Sequence, residues 1–318
     1  MMGVLQRHPA ANIILVFVAV QLCCGIGWLI FPDSFRYLDA ANIAIMLRTI
    51  PLLGTVAIGV GILMIAGEFD LSVGAVFVLT SYLMAMAYQA GWPLPLAVLV
   101  AVVAAAVIGL INGLITVNLQ IPSFITTLGS MLFLRGIVRF VSDSRPIMFQ
   151  PDALTTNVLT GEIGFLQAQF LWFLLLTVLA YLLLARQKLG NHIFMVGGNQ
   201  KAAVAVGINA RRVKIICFVI SALCATIAGI VSAVRVSSIT PTAGIGLELQ
   251  AIAACVVGGL SLSGGRGTTI GILLGASLLY TIQDVLLLTR APGYYLDMFI
   301  GAIIVIAVVM NHWVARRT

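Results

Sequence analysis

The chain is built almost entirely from long apolar runs that are separated by short polar links. Apolar side chains make up 61% of the 318 residues and charged ones only 8%, whereas about a quarter of the residues in a soluble domain carry charge. A helix of about 20 apolar residues crosses a bilayer core of roughly 30 Å. The runs therefore predict an all-α, polytopic integral membrane protein with no room for a soluble enzyme domain.

The apolar runs that are long enough to form helices occupy most of the sequence. They predict about ten transmembrane helices in a single transmembrane domain, residues 1–318. The predicted bounds are 11–31, 40–66, 71–89, 93–117, 122–142, 168–185, 213–235, 247–263, 268–289 and 293–314.

The Lys and Arg residues gather in alternate links, and six of them lie in the single link 186–214. Because basic residues favour the cytoplasmic side, this link, Arg7 and the basic C-terminus predict that both termini are cytoplasmic. The same asymmetry explains the net charge of +7 without a nucleic-acid partner, whose binding needs a basic stripe on a solvated face. We expect a multi-pass protein of the cell (inner or plasma) membrane, surrounded by the lipid bilayer.

The sequence contains no pattern typical of a catalytic or metal centre. The five cysteines lie inside apolar runs without the spacing of metal ligands, and a buried free cysteine acts as a small hydrophobe. No nucleophile stands with a base, and no carboxylates are paired for catalysis. We therefore predict no catalytic residue, no metal site and no cofactor.

The long inner link, 186–213, contains a short helix with a stop signal at each end. Asn199 is suited to cap its beginning, and Gly207 is suited to follow its end. At a rise of 1.5 Å per residue the helix is a rod of about 10 Å, too short to span the membrane. Its Ala/Val surface fits a groove in another protein; the alternative is a surface helix that only tethers two spans. Under the first interpretation the ATPase-coupling residues are Gly198, Asn199, Gln200, Lys201, Ala202, Ala203 and Gly207.

The same run resembles the coupling segment of the membrane permease subunits of ABC importers in the ribose/xylose/arabinose sugar class. The typical pattern there is Gly-Gly-Asn-Glu-x-Ala-Ala, followed by Ser-Gly-Ile. The matching residues are Ala202, Ala203, Gly207 and Ile208. The usual acid is absent, with Gln200 and Lys201 in that region, and Val206 replaces the small polar residue before the glycine. These departures leave shape and apolar packing, rather than a charge contact, to carry coupling to the ATPase.

A second segment, at 67–74, reads Gly-Glu-Phe-Asp-Leu-Ser-Val-Gly and is similar to the Gly-Gly-Ile-Asp-Leu-Ser-Val-Gly signature of these permeases. Asp70 or Ser72 caps the next helix, or else one of them contacts the solute directly. Glu68 adds a charge to the family's pattern, and the sequence assigns it no role. The residues that we interpret as the signature turn are Gly67, Asp70, Ser72 and Gly74.

A third segment, at 121–129, reads Ile-Pro-Ser-Phe-Ile-Thr-Thr-Leu-Gly and resembles the run that opens the fifth helix of these permeases. Its threonines and Ser130 either present hydroxyls to a sugar or bond the carbonyls of their own helix. Arg135 and Arg139 follow on one face, so the segment is either a broken or re-entrant element beside the pathway or a tilted helix whose arginines reach outward. The translocation-pathway residues that we predict are Pro122, Phe124, Thr126, Thr127 and Ser130.

A fourth segment, at 258–267, reads Gly-Gly-Leu-Ser-Leu-Ser-Gly-Gly-Arg-Gly and is similar to a glycine-rich turn of the same family. It lacks the lysine of a Walker A loop, and no strand precedes it. We interpret it as a tight cytoplasmic turn between two packed spans, and we expect ATP hydrolysis on a separate chain.

The four segments occur in the family's order, and the chain is identified as a member of this permease class. The resemblance implies import of a monosaccharide or polyol. It also implies cytoplasmic ABC ATPase subunits, an external sugar-binding protein and a second permease copy or paralogue as partners. The alternatives are an ion-coupled secondary transporter and an ABC permease for amino acids or another small polar solute.

Several further charged residues lie inside predicted spans, and others lie in the outer link 143–167. An ionisable group within the membrane is costly unless it is paired or hydrated. Either Arg48 pairs with Asp284, or Asp284 and Asp297 lie near the outer ends of their helices and face lipid headgroups. The outer link is either a docking surface for a soluble partner or a solvated loop.

Overall fold

The computed structural model describes residues 11–164 and 166–315, and most of them lie in helices. The helices are α1 (Ala11–Ile30), α2 (Ala40–Ile65), α3 (Val73–Gln89), α4 (Leu94–Asn118), α5 (Ser123–Ser142), α6 (Ala153–Thr160), α7 (Ala168–Arg186), α8 (Lys188–Gly198), α9 (Gln200–Ala205), α10 (Ala210–Val236), α11 (Leu247–Val257), α12 (Thr269–Leu288) and α13 (Tyr294–Ala315). The strands are β1 (Ile147–Met148), β2 (Glu162–Ile163), β3 (Leu166–Gln167) and β4 (Ser238–Ile239). β1 pairs with β4 and β2 with β3, both antiparallel. The predicted all-α class is confirmed.

Seven of these helices are long and apolar enough to cross a membrane by their length and composition: α1, α2, α4, α5, α7, α10 and α12. Three further apolar helices are shorter, namely α3, α11 and the stretch Tyr294–Ile306 of α13. Every predicted run thus corresponds to a helix, and within the described residues seven of these helices reach spanning length. The prediction of a multi-pass membrane protein is confirmed.

The centre of the bundle is α10, which packs against α2, α3 and α4. Glycines at these crossings bring the helices close together. A Cβ built on Gly59 would lie 2.7 Å from Cys224 Cβ, and one on Gly109 would lie 2.8 Å from Phe218 O. Since lipid is as apolar as a leucine side chain, such close contact between small residues is what joins helices in a membrane.

The predicted end of the run 247–263 is wrong. The run 247–263 ends as a helix at Val257, because Gly259 adopts a φ of +85° and Leu260 N–H donates to Cys255 O at 3.0 Å, which closes the helix. The inner link also contains a second helix, α8, which precedes α9 and ends with Gly197 and Gly198.

The segment that opens at Ser123 forms one unbroken helix, α5, so the interpretation of a broken element is wrong. Arg135 does not reach outward, because its Nη2 donates to Gly244 O at 2.8 Å. Arg139, one turn later, is exposed.

The charged residues inside the helices pair differently from either prediction. The guanidinium of Arg48 contacts Glu162, and its Nε donates to Gln167 Oε1 at 3.0 Å. Asp284 is buried, and its Oδ2 accepts from Asn42 Nδ2 at 2.8 Å. Neither the pairing of Arg48 with Asp284 nor a headgroup-facing Asp284 is therefore correct, whereas Asp297 is exposed in the first turn of α13.

Candidate coupling site

The short helix α9 has six residues and is capped at both ends. Asn199 Oδ1 accepts from the N–H of Ala202 at 3.0 Å. After the helix, Gly207 has a φ of +87°, and Ile208 N–H donates to Ala203 O at 3.0 Å. This Schellman-type ending needs a left-handed residue, which glycine supplies most easily. Both predicted stop signals are confirmed.

One side of α9 packs on the bundle and the opposite side is exposed. Ala203 is buried, whereas Val204 and Val206 are 54% and 66% exposed. Lys201 and the basic pair 211–212 at the start of α10 are exposed next to them. The helix therefore presents a small apolar surface with positive charge around it.

Three of the four family-like segments meet at a cluster of glycines. We call this cluster the glycine junction, and it consists of Gly67, Gly197, Gly198, Gly264 and Gly265. A Cβ built on Gly197 would collide with Ile65 O and lie 2.7 Å from Gly265 N. A Cβ on Gly264 would lie 2.8 Å from Gly67 Cα, and Gly265 N–H donates to Ile65 O at 2.8 Å. Backbone thus packs directly on backbone, which joins the end of α8 to the signature turn and to the glycine-rich turn before α12.

The loop between α2 and α3, residues 66–72, is held by hydrogen bonds of the fully buried Asp70. Its Oδ1 accepts from the N–H and Oγ of Ser72 at 2.8 and 2.6 Å, and its Oδ2 accepts from Ser221 Oγ at 3.1 Å. Asn112 Nδ2 donates to Ser72 Oγ at 3.0 Å. Ser72 makes no side-chain cap on α3, so capping by Ser72 is wrong, and Asp70 binds the N–H of Ser72 itself, the residue just before the helix. The two side chains instead tie the loop to α4 and α10.

Gly74, the last residue of the signature turn, lies where three segments approach one another. A Cβ on it would collide with Gly244 O and would lie 2.5 Å from Glu248 Oε2 and 3.2 Å from Arg135 Nη2. The Oε2 of Glu248 has no hydrogen-bond partner within the part of the chain that the structure describes. A half-buried arginine and a buried glutamate at such a crossing are typical of a functional region in a membrane protein.

Lys214, near the start of α10, joins α9 to the signature turn. Its Nζ donates to Glu68 Oε1 at 2.6 Å and to Gln200 Oε1 at 2.7 Å. The side chains of Lys214 and Glu68 are each only 13% exposed. Glu68 therefore forms a shielded ion pair, and Gln200, which stands in place of the family's usual acid, accepts the second bond.

The first turns of α5 bind the backbone of the signature turn. Thr127 Oγ1 accepts from Leu71 N–H at 3.1 Å and donates to Ser123 O at 2.7 Å. Ser123 Oγ accepts from Phe69 N–H at 3.1 Å. The hydroxyl of Thr127 is thus fully engaged in holding two segments together.

The other predicted pathway residues differ in their exposure. Phe124 is 54% exposed, Pro122 is exposed just before α5, and Ser130 is half-buried. Thr126 is buried, and its Oγ1 has no hydrogen-bond partner among the described residues. Phe124 and Ser130 therefore reach the surface of this chain, whereas the two threonines lie inside it.

Comparison with known proteins decides the class of protein. A family model described as "Branched-chain amino acid transport system / permease component" matches residues 42–308. The chain belongs to this permease family. The ribose import permease protein of Haemophilus influenzae is 32% identical over 95% of this chain and 93% of its own length. The autoinducer 2 import system permease proteins of Photorhabdus luminescens and Salmonella typhimurium are each 32% identical, over 92% and 96% of this chain and 87% and 86% of their own lengths. No solved structure matches.

The family resemblance that the four segments predict is confirmed, and the relatives are permease components of transport systems. In the permease the four segments form one connected region. Three of them meet at the glycine junction, and the third segment, 121–129, reaches the signature turn through Ser123 and Thr127.

Sequence reasoning missed α8 and the long-range partners Asn112, Ser221 and Lys214. The partners carry no local signal, because they lie far along the chain from the groups that they bind. A signal for α8 was present: its buried residues Ile193 and Val196 follow one another at helical spacing.

Proposed function

We propose that this permease moves a neutral polar solute, a monosaccharide or polyol, inward through a pathway between two permease copies or paralogues. The observation that carries the proposal is the exposed apolar surface of α9. This helix is capped at both ends, and Lys214 joins it to the signature turn. A short helix with an apolar face fits a groove in a partner protein. The relative named a ribose import permease supports the class of solute.

In this proposal the chain crosses the membrane about ten times and both termini are cytoplasmic. The shorter apolar helices α3 and α11 and the stretch Tyr294–Ile306 of α13 add to the seven long ones. Of these, α3 and α11 each follow non-helical chain, at 66–72 and 237–246. Such chain is tolerated at membrane depth only when protein surrounds it, and Asp70 in the first stretch is fully buried. The basic link 186–213 then faces the cytoplasm.

The proposed partners are cytoplasmic ABC ATPase subunits, which bind α9, and an external sugar-binding protein, which delivers the solute. ATP is hydrolysed on the separate ATPase chains. Their closure displaces α9, and the displacement tilts the helices around the pathway. Exposed Phe124 and half-buried Ser130 line the pathway, while Pro122, Thr126 and Thr127 set the position of α5. ATP and the loaded binding protein must each favour a different state of the permease.

Replacing Gly207 tests the role of α9. Gly207→Val places a β-branched residue at a φ of +87°, where non-glycine residues cost about 1–3 kcal/mol, and therefore loosens the end of α9. We expect a protein that inserts normally but loses transport and stimulation of the ATPase. Gly207→Asn is the matched control, since asparagine tolerates this conformation, and it retains most of the activity. Full transport by Gly207→Val contradicts the coupling role.

Two observations favour a second candidate solute, an amino acid. The family model is described by branched-chain amino acid transport, and Arg135 and Glu248 beside Gly74 offer one charge of each sign to a zwitterion. Uptake of radiolabelled ribose and leucine, measured in parallel in proteoliposomes that contain the whole import complex, distinguishes the two candidates. Uptake by this chain alone, driven by an ion gradient, would instead identify a secondary transporter.

A further inference from the structure

Within the described residues, α9 makes one side-chain hydrogen bond to another element, from Lys214 Nζ to Gln200 Oε1 at 2.7 Å. The same ammonium group binds Glu68 Oε1 at 2.6 Å. We propose that Lys214 is a positioning residue that transmits displacement of α9 to the signature turn. The inference rests on the proposed function, in which an ATPase displaces α9.

The ion pair suits this role because it is shielded. Both charged side chains are 13% exposed, and attraction between charges is stronger where water is largely excluded. Separating the pair would leave each charge poorly solvated, which is strongly unfavourable. When α9 and its residue Gln200 are displaced, Lys214 and Glu68 therefore move together as an intact ion pair.

The route continues from Glu68 into α5. The next residue, Phe69, donates its N–H to Ser123 Oγ at 3.1 Å, and Leu71 donates its N–H to Thr127 Oγ1 at 3.1 Å. Both acceptors lie in the first two turns of α5, the helix that carries the proposed pathway residues. A shift of Glu68 is thus passed on through backbone hydrogen bonds that lie one and three residues further along the chain.

A cavity beside the pair gives these groups room to move. It has a volume of about 380 Å³, and Glu68, Thr116, Gln120, Arg211 and Lys214 are among the residues that line it. Close-packed interiors resist displacement of a side chain. Because open space adjoins Lys214, its side chain can follow α9 without displacing the packed centre of the bundle.

The glycine junction offers a competing route, since the end of α8 also touches the signature turn there. The two routes make different predictions for the Lys214 side chain. If backbone contact at the glycine junction carries the whole displacement, removing the ammonium group of Lys214 leaves the response of the signature turn and α5 to nucleotide unchanged. If Lys214 carries it, the response of the signature turn and α5 to nucleotide depends on the charge pair.

The test uses the permease isolated from membranes with its bound ATPase subunits, and the probe is ATP with vanadate. Hydrogen exchange is measured for peptides that cover 66–74 and 123–130, with and without nucleotide. We expect the wild-type complex to show a nucleotide-dependent difference in both peptides. Lys214→Met reduces that difference about tenfold, the size of a typical coupling between sites, while ATPase binding persists. Lys188→Met, which removes an exposed basic residue of the same link, leaves it unchanged.

Charge reversal distinguishes a role of the ion pair in coupling from an effect of the substitutions on folding alone. Glu68→Lys and Lys214→Glu each abolish the difference when made alone, and the double variant restores it, since the pair is rebuilt with opposite signs. The inference is overturned if Lys214→Met responds like the wild type, or if the double variant folds with wild-type thermal stability yet responds no better than the single variants. If no ATPase associates with the wild type, the proposed function itself fails; if the ATPase binds and all variants respond equally, only the role of Lys214 fails.

Discussion

The two ends of the permease differ in the interactions that hold each of them together. The α9 end comprises α9, the glycine junction and the signature turn, and its ion pair between Lys214 and Glu68 is 13% exposed on both sides. The α6 end comprises α6 and the four short strands, and its ion pair between Arg48 and Glu162 is 40% and 56% exposed. No residue of α6 is buried. We therefore expect the α9 end to move as a unit, whereas the α6 end consists of parts that separate at little cost.

The largest expected effect comes from adding one methyl group to the α9 end. Gly197→Ala forces its Cβ against Ile65 O and to within 2.7 Å of Gly265 N, and neither backbone can move away easily. We expect it to lower the free energy of unfolding by about 3 kcal/mol, as overpacking a close contact does. Thermal unfolding of the purified protein in detergent measures the change.

Gly198→Ala is the matched control for this substitution. The nearest atom to its added Cβ, apart from its own neighbours, is Gly265 Cα at 3.8 Å, which is ordinary contact. Since alanine favours a helix over glycine by up to about 1 kcal/mol, this variant is expected to be as stable as the wild type or slightly more so. Equal destabilisation by both variants would show that the glycine junction is not a rigid contact.

The two ion pairs provide the next test of the comparison. Glu68→Ala leaves the shielded Lys214 with Gln200 alone and is expected to cost about 2 kcal/mol. Glu162→Ala breaks a solvated pair and is expected to cost less than about 1 kcal/mol. Unfolding at low and high salt separates them further, because screening by mobile ions weakens the exposed pair and hardly affects the shielded one. If both substitutions lowered the free energy of unfolding by the same amount, with the same dependence on salt, the difference between the two ends would be contradicted.

The sequence predicts where α9 begins and ends, but it does not predict the contacts inside the α9 end. Asn199 and Gly207 act within a few residues of their own positions, so local pattern identifies both stop signals. Apolar runs likewise predict the long helices, because the bilayer imposes their length. The partner of Glu68 cannot be predicted in this way, since Lys214 lies 146 residues further along the chain and only the fold brings it near. The close backbone packing at Gly197 is unpredictable for the same reason, because Ile65 and Gly265 are distant in the sequence.

The smallest expected effect concerns the caps of the two short helices. Asp152 caps α6. Its Oδ1 accepts from Thr155 Oγ1 at 2.8 Å and its Oδ2 accepts from Thr155 N–H at 3.1 Å, and these hydrogen bonds lower the pKa of its carboxyl below the ordinary value of 3.8. A lowered pKa in the folded state means that the stabilisation is present above the ordinary pKa and is lost as the pH falls through the lower one. Asn199, the cap of α9, carries no titratable group.

Hydrogen exchange of α6 and α9 between pH 5 and pH 2, roughly the range in which such a carboxyl is protonated, therefore distinguishes the two caps. We expect the amides of α6 to lose protection as the pH falls, relative to Asp152→Asn, whose amide oxygen keeps the acceptor without a charge. The amides of α9 serve as the internal control and keep a constant ratio between the two proteins. If α6 showed the same constant ratio, the charge of Asp152 would contribute nothing to its cap. The α6 end would then be no more sensitive to solvent conditions than the α9 end.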